Sequence, residues 1–259
     1  MRLDGKVGIV TGGARGIGKA IVFALAKAGA NVVLADLDEE AGKATVKDLA
    51  ALGPASLFRK TDVAKPNEAK TLVDATADRF GRLDILVNNA GLQHVAPIQD
   101  FPDEKWDLLI GVMLSGAFFL TKYAFPHMVR QRFGRVINIA SAHGLVASPF
   151  KAAYVSAKHG LMGLTKVIAL EGAEHNITAV AICPAYVRTP LVEQQIADQA
   201  KAHGISEQEV MEKVILARQA VKRLLEPEEV AGLTVFLCTD QASGFTGVPI
   251  AMDLGWTAH

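Results

Sequence analysis

The sequence predicts an α/β fold: a doubly wound parallel sheet of about seven strands with helices on both faces. Two observations carry that prediction. Apolar, strand-like runs recur near residues 6–11, 31–36, 56–61, 83–88, 134–140, 177–183 and 247–252. Helix-period patterns fill the intervals, the longest being residues 103–131 and 152–174. Alternation of this kind gives parallel strands joined by right-handed crossovers. Residues 1–259 are read as one domain, without repeats, low-complexity tracts or linkers.

The first run, Val7-Gly8-Ile9-Val10-Thr11, enters Gly12-Gly13-Ala14-Arg15-Gly16-Ile17-Gly18 and then a helical pattern carrying Ile21, Val22, Leu25 and Ala28. Glycines there allow a tight turn and let the backbone approach a pyrophosphate, which sits on the helix N-terminal N–H groups. The second run ends in Asp36, about 20 residues on, where a carboxylate accepts hydrogen bonds from an adenosine ribose. A strand, a glycine turn, a helix and a second strand ending in an acid together indicate dinucleotide binding.

Asp62-Val63 ends the third run. Asp62 suits either an adenine amino group or a turn cap. Asn88-Asn89-Ala90-Gly91 ends the fourth; Asn88 reads as structural, while Ala90 and Gly91 leave room for a cofactor.

Residues 141–158, SAHGLVASPFKAAYVSAK, hold Ser141 and, four apart, Tyr154 and Lys158. That helical spacing puts two side chains on one face, about 5–6 Å apart at Cβ. Bringing a phenol from ~10 to neutrality needs about 4 kcal/mol. One cation at ~4.5 Å and an effective dielectric of ~20 supplies about 3.7 kcal/mol. Lys158 alone is therefore expected to be the right size of perturbation.

The motifs TGxxxGxG, NNAG and Ser…YxxxK, in this order, resemble the short-chain dehydrogenase/reductase family over essentially the whole chain. The resemblance implies a Rossmann-like fold, a nicotinamide cofactor, hydride transfer between alcohol and carbonyl, and a homotetramer. It implies Tyr154 as acid/base, Lys158 as the group that lowers its pKa and holds the nicotinamide ribose, and Ser141 as the group orienting the substrate oxygen. It also points to Asn89, Pro184, Val187 and Thr189 as cofactor contacts. Asp36 favours NAD, since a 2′-phosphate would be repelled by it. Arg15 pulls toward NADP, and we weight Asp36 above it.

Residues 91–98, 141–151 and 187–195, with the tail 255–258, resemble the branch of that family whose members oxidise D-3-hydroxybutyrate. That likeness assigns substrate binding to Gln93, His143, Lys151 and Gln195, beside Ser141 and Tyr154. A four-carbon hydroxy acid offers only ~1–2 kcal/mol of apolar burial. Charge-assisted hydrogen bonds to its carboxylate must supply the recognition. Lys151 could instead be a solvated helix-start lysine, and Arg188 is its rival. A sugar, a polyol, another small hydroxy acid or a hydroxyacyl thioester is the second substrate reading, and a catalytically idle NAD-binding scaffold the third.

Residues 185–223 read as a substrate lid, its second helix opening with a capping-box Ser206…Glu209. The chain departs from the family pattern at Met113, where an Asn of a proton relay is usual, and at Ala185, Tyr186 and Leu254.

With 27 basic and 27 acidic residues the net charge is zero, which gives no electrostatic footprint for nucleic acid or anionic membranes. No run is expected to span a membrane and no metal site is expected. Cys183 and Cys238 read as buried thiols of a reducing cytoplasm.

Overall fold

The computed structural model describes residues 1–258, with the side chains at 191, 194, 198, 199 and 201–203 outside that description. Seven parallel strands form one sheet: β1 (Val7–Thr11), β2 (Asn31–Asp36), β3 (Ser56–Lys60), β4 (Ile85–Asn88), β5 (Gly134–Ile139), β6 (Ile177–Pro184) and β7 (Val248–Met252). Their order is β3-β2-β1-β4-β5-β6-β7. The winding reverses between β1 and β4, which pair in register at Ile9↔Leu86 and Val10↔Val87. Ligands of open α/β sheets bind in the crevice at the carboxyl ends of such strands.

Period-two alternation supplies both faces of the core. Val10, Val32, Leu34, Val87 and Ile137 pack on one side, against Ile21, Val22 and Leu25 of α1 (Gly16–Lys27) and Val230 and Val235 of the C-terminal helix Pro227–Leu237. Ile9, Val33, Leu86 and Val136 turn to the other side, against Leu72 and Val73 of the helix Pro66–Phe80, Leu120, Ala124, Met128 and Ile168. Each fully buried aliphatic side chain is worth about 1.5–3 kcal/mol.

The helical pattern at 103–131 is broken by one wide turn. An α-helix, Asp103–Ile110, passes into a π-helical turn, Gly111–Ser115, and resumes as Gly116–Gln131. The span contradicts the expectation that no run reaches membrane length, for its 29 residues have a mean hydropathy of 1.7 over the most apolar window. Leu109, Met113, Leu120, Ala124 and Met128 of this span are buried in the core, and 39% of that window is buried. The helix Ala152–Gly172 lies beside it.

The expected lid forms a small packed unit. A helix Pro190–His203, capped by Thr189, meets a short helix Glu207–Val210 that opens with the Ser206/Glu209 capping box. Ile196, Val210, Ile215 and Leu224 form its own apolar cluster, with Tyr186 and Val192 packed against it.

Candidate active site

The glycine turn and the ends of β1, β2, β4 and β5 enclose a cleft of about 400 Å³. Gly12, Arg15, Gly16, Ile17, Asp36, Asp62, Val63, Asn89, Ala90, Gly91, Tyr154, Lys158 and Thr189 all line it. Gly12 has φ +61°, and a Cβ there would stand 3.0 Å from Ala90 Cα and Asn89 Nδ2. Asn89 fastens that loop to β4, its amide donating to Thr11 O (2.9 Å) and Gly12 O (3.0 Å).

Three residues expected at the cofactor do not line the cleft. A Cβ on Gly18 would fall 2.1 Å from Gly12 O, so this glycine permits close packing of helix on loop behind the lining. Pro184 pairs with Met252 at the end of β6, and Val187, 3% exposed, bridges to Leu225. Thr61, Leu92, Val112 and Ala140 are among the residues that line the cleft instead. Their residue types carry no chemical signal; only their positions near strand ends and on the wide helical turn could have flagged them.

The Asp36 carboxylate accepts from the N–H groups of Ala14 and Asp38, both at 3.0 Å. Arg15 donates to Asp38, through Nη2 at 2.7 Å and Nε at 3.1 Å. The cleft's size, its Cβ-free glycine wall and a carboxylate at the second strand end fit a nicotinamide dinucleotide. Asp62 also accepts from Ala64 N–H (3.1 Å), so its turn role and its place in the cleft coexist. Asn88 ties β4 to β5 through Asn138 (2.8 Å).

Helical spacing brings Tyr154 and Lys158 together as expected, with Lys158 Nζ 5.6 Å from the centre of the phenol ring. Lys158 is 4% exposed and donates to Ile139 O at 2.7 Å. Burial pushes its ammonium down to about 8. Burial also raises the Tyr154 phenol, and the hydrogen bond from Ser141 works against that rise. The expectation that Lys158 alone brings the phenol to neutrality is therefore corrected: burial of the phenol raises its pKa, and the neighbouring ammonium does not offset that rise.

A second compartment of about 80 Å³ opens beside Tyr154 and Ser141. All six residues named for substrate binding line it: Gln93, Ser141, His143, Lys151, Tyr154 and Gln195. Ala185, Tyr186, Val192 and Trp256 complete the wall. Lys151 is 9% exposed, and its ammonium makes no hydrogen bond or ion pair among the described residues. It stands 5.7 Å from the centre of the Tyr186 ring, and burial lowers its pKa.

His143 is wedged between Trp256 (ring centres 5.0 Å apart) and Tyr154 (6.0 Å). Its Nε2 lies 2.9 Å from Ser148 Oγ. Burial first, then the charges of Lys151 and His159, push His143 down to about 4, so it is neutral at pH 7. Gln93 Oε1 is buried without a hydrogen-bond partner among the described residues. Arg188, the rival cation, is engaged with Glu226 at 3.0 Å, and His94 packs on Phe101 away from this compartment.

Met113, 2% exposed, sits in the π-helical turn, so the wide turn forms without an amide side chain at that position. A void of about 10 Å³ lies between Met113, Asn88 and Lys158, and Asn88 Oδ1 has no hydrogen-bond partner among the described residues.

A nucleotide-sized cleft and a compartment with a buried cation thus share one Ser/Tyr/Lys group, and that arrangement defines an alcohol-oxidising or carbonyl-reducing enzyme. The short chain dehydrogenase model matches residues 6–200, and the chain belongs to that family. It is an oxidoreductase that works with a nicotinamide cofactor. The chain is similar to the D-beta-hydroxybutyrate dehydrogenase of Rhizobium meliloti (strain 1021), at 51% identity over 98% of this chain and 99% of the relative. It is similar to the enzyme of that name from Cupriavidus necator at 44%, over 99% of this chain and 100% of the relative. A 3-oxoacyl-(acyl-carrier-protein) reductase of Thermotoga maritima is 34% identical, over 98% of this chain and 99% of the relative.

Proposed function

We propose that this enzyme oxidises D-3-hydroxybutyrate to acetoacetate, reversibly, with NAD. The observation that carries the substrate reading is Lys151, a nearly buried ammonium without an anionic partner among the described residues, in the compartment that holds Ser141 and Tyr154. A buried unpaired charge is costly, and a substrate carboxylate relieves that cost on binding. Neutral His143 and the amides of Gln93 and Gln195 add donors around the same anion.

Asp36, Asn89, Thr189 and the glycine loop hold the dinucleotide, and its nicotinamide, when bound, supplies the hydride acceptor. Asp36 lines the cleft at the end of the second strand and Asp38 engages the Arg15 guanidinium, and this supports NAD over NADP. Tyr154 takes the hydroxyl proton. Ser141 Oγ accepts from His143 N–H (3.1 Å), which leaves its own hydrogen to donate to the phenol or to the substrate oxygen. Lys158, anchored on Ile139 O, holds the positive charge that favours the phenolate and carries the proton onward.

The enzyme is proposed to act as a homotetramer, for Phe118, Val167 and Leu170 leave apolar side chains exposed on the long helices. Sedimentation velocity tests this. Two free buried thiols, Cys183 and Cys238, support a reducing cytoplasm. The test of function is NADH formation with a panel of hydroxy acids, polyols and hydroxyacyl thioesters. Turnover of polyols or thioesters at rates matching D-3-hydroxybutyrate would refute the carboxylate reading.

A further inference from the structure

We propose that Phe150 is a positioning residue whose left-handed backbone sets the turn on which the arms of the carboxylate site converge. This rests on the reading of that compartment as a carboxylate site. Phe150 has φ +67°, a region that only a few per cent of non-glycine residues adopt and that is an outlier for a bulky side chain. Pro149 precedes it, and in a turn of this kind a positive φ at the second central residue favours Gly or Asn. The ring does not account for the strain, for it is 55% exposed. What the conformation does achieve is visible in the three residues around it.

Ser148 Oγ lies 2.9 Å from Nε2 of His143. The carbonyl of Phe150 accepts from Ala96 N–H at 3.0 Å, which ties down the loop that carries Gln93. Lys151 follows directly, opens the helix Ala152–Gly172, and turns its side chain into the compartment. Relaxing residue 150 to negative φ would redirect its carbonyl and swing Lys151 relative to Ser148. Three donors to one small anion would then lose their common geometry, although none of them had been replaced. Strain held at a ligand clamp by its surroundings is a recognised form of pre-organisation.

The test compares Phe150→Val, which resists positive φ, with Phe150→Asn, which removes the ring but tolerates that backbone. Two readouts are taken with NAD present: steady-state kinetics on D-3-hydroxybutyrate, and acetic anhydride labelling of lysines mapped by mass spectrometry. In Phe150→Val, KM for the hydroxy acid rises about tenfold or more while kcat stays within about threefold and KM for NAD is unchanged. Labelling of Lys151 accelerates, whereas Lys158 stays protected, which shows that the fold is intact. Phe150→Asn returns both readouts to near wild type. Unchanged Lys151 labelling in Phe150→Val overturns the proposal, and so does an Asn variant as impaired as the Val variant, since the ring would then be the active element. A wild type that fails to oxidise D-3-hydroxybutyrate sinks the functional reading alone, because the labelling comparison still decides the role of Phe150.

Discussion

Arg15 and Asp38 form a paired contact at the mouth of the nucleotide cleft, with guanidinium Nη2 2.7 Å from the carboxylate. The pair bears on the choice between NAD and NADP, on which Asp36 and Arg15 pull in opposite directions. Arg15 alone would attract a 2′-phosphate, but here its guanidinium is engaged by Asp38. Removing both carboxylates should release it. Asp36→Ala should cost about tenfold or more in kcat/KM with NAD, the value of a hydrogen bond to a charged group. Adding Asp38→Asn should raise kcat/KM with NADP. Equal use of both cofactors by the wild type would show that Arg15 acts despite its partner.

Lys151 should trade stability for binding. Its burial without an anionic partner among the described residues lowers its pKa, so holding the charged ammonium costs the folded state stability that the unfolded chain does not pay. Lys151→Met should raise the thermal midpoint. It should lower kcat/KM for the hydroxy acid by roughly 10- to 150-fold, leaving KM for NAD unchanged. Differential scanning calorimetry beside steady-state kinetics measures both. A lowered midpoint together with unaltered kinetics would mean that the ammonium has a protein partner and no substrate role.

Much of this site could be read before any coordinates, and the reason is locality. Tyr154 and Lys158 are four residues apart on a helix, and Gly12 to Gly18 is a single turn, so spacing alone carries their geometry. What stayed hidden depends on contacts distant in sequence. The Arg15–Asp38 pair spans two βα connections, and the π turn at Gly111–Ser115 interrupts a stretch that the apolar pattern reads as one continuous helix. The rise of the Tyr154 phenol is a matter of burial, which no spacing encodes. Gly18, Pro184 and Val187 belong to conspicuous motifs, yet they sit one layer behind the cleft they help to shape.

His143 gives acid sensitivity a definite sign. Its folded pKa of about 4 lies below the ordinary value of 6.5, so the unfolded chain binds a proton that the folded chain refuses. Above pH 6.5 the residue contributes no pH dependence. As pH falls from 6.5 to 4, stability should drop by up to about 3 kcal/mol through this residue, then level off. Urea denaturation of wild type and His143→Gln across that window isolates the effect, because the carboxylates titrate in both proteins. Parallel curves would mean that His143 protonates freely in the folded state.

Met113 decides whether the proton route needs a side-chain amide. The wide turn at Gly111–Ser115 already exists with a thioether in it, and Asn88, whose Oδ1 has no partner among the described residues, lines the small void shared with Met113 and Lys158. That void is about one water probe in size. In Met113→Asn the new amide can donate to Asn88 Oδ1, which should limit the cost of burying it. The main-chain carbonyls of the turn are the same in both proteins, so any water anchored there should survive. We therefore expect kcat to change by only about a few-fold in either direction, with no displacement of its pH profile. Positioned proton transfer is worth about 10²–10⁴-fold, so a relay lacking its donor would leave that much to be regained. The measurement is kcat against pH for both proteins with saturating NAD. A gain of about a hundredfold or more would place Met113 as a block in the native relay, since no packing change at a buried, already formed turn raises the chemical rate by that amount.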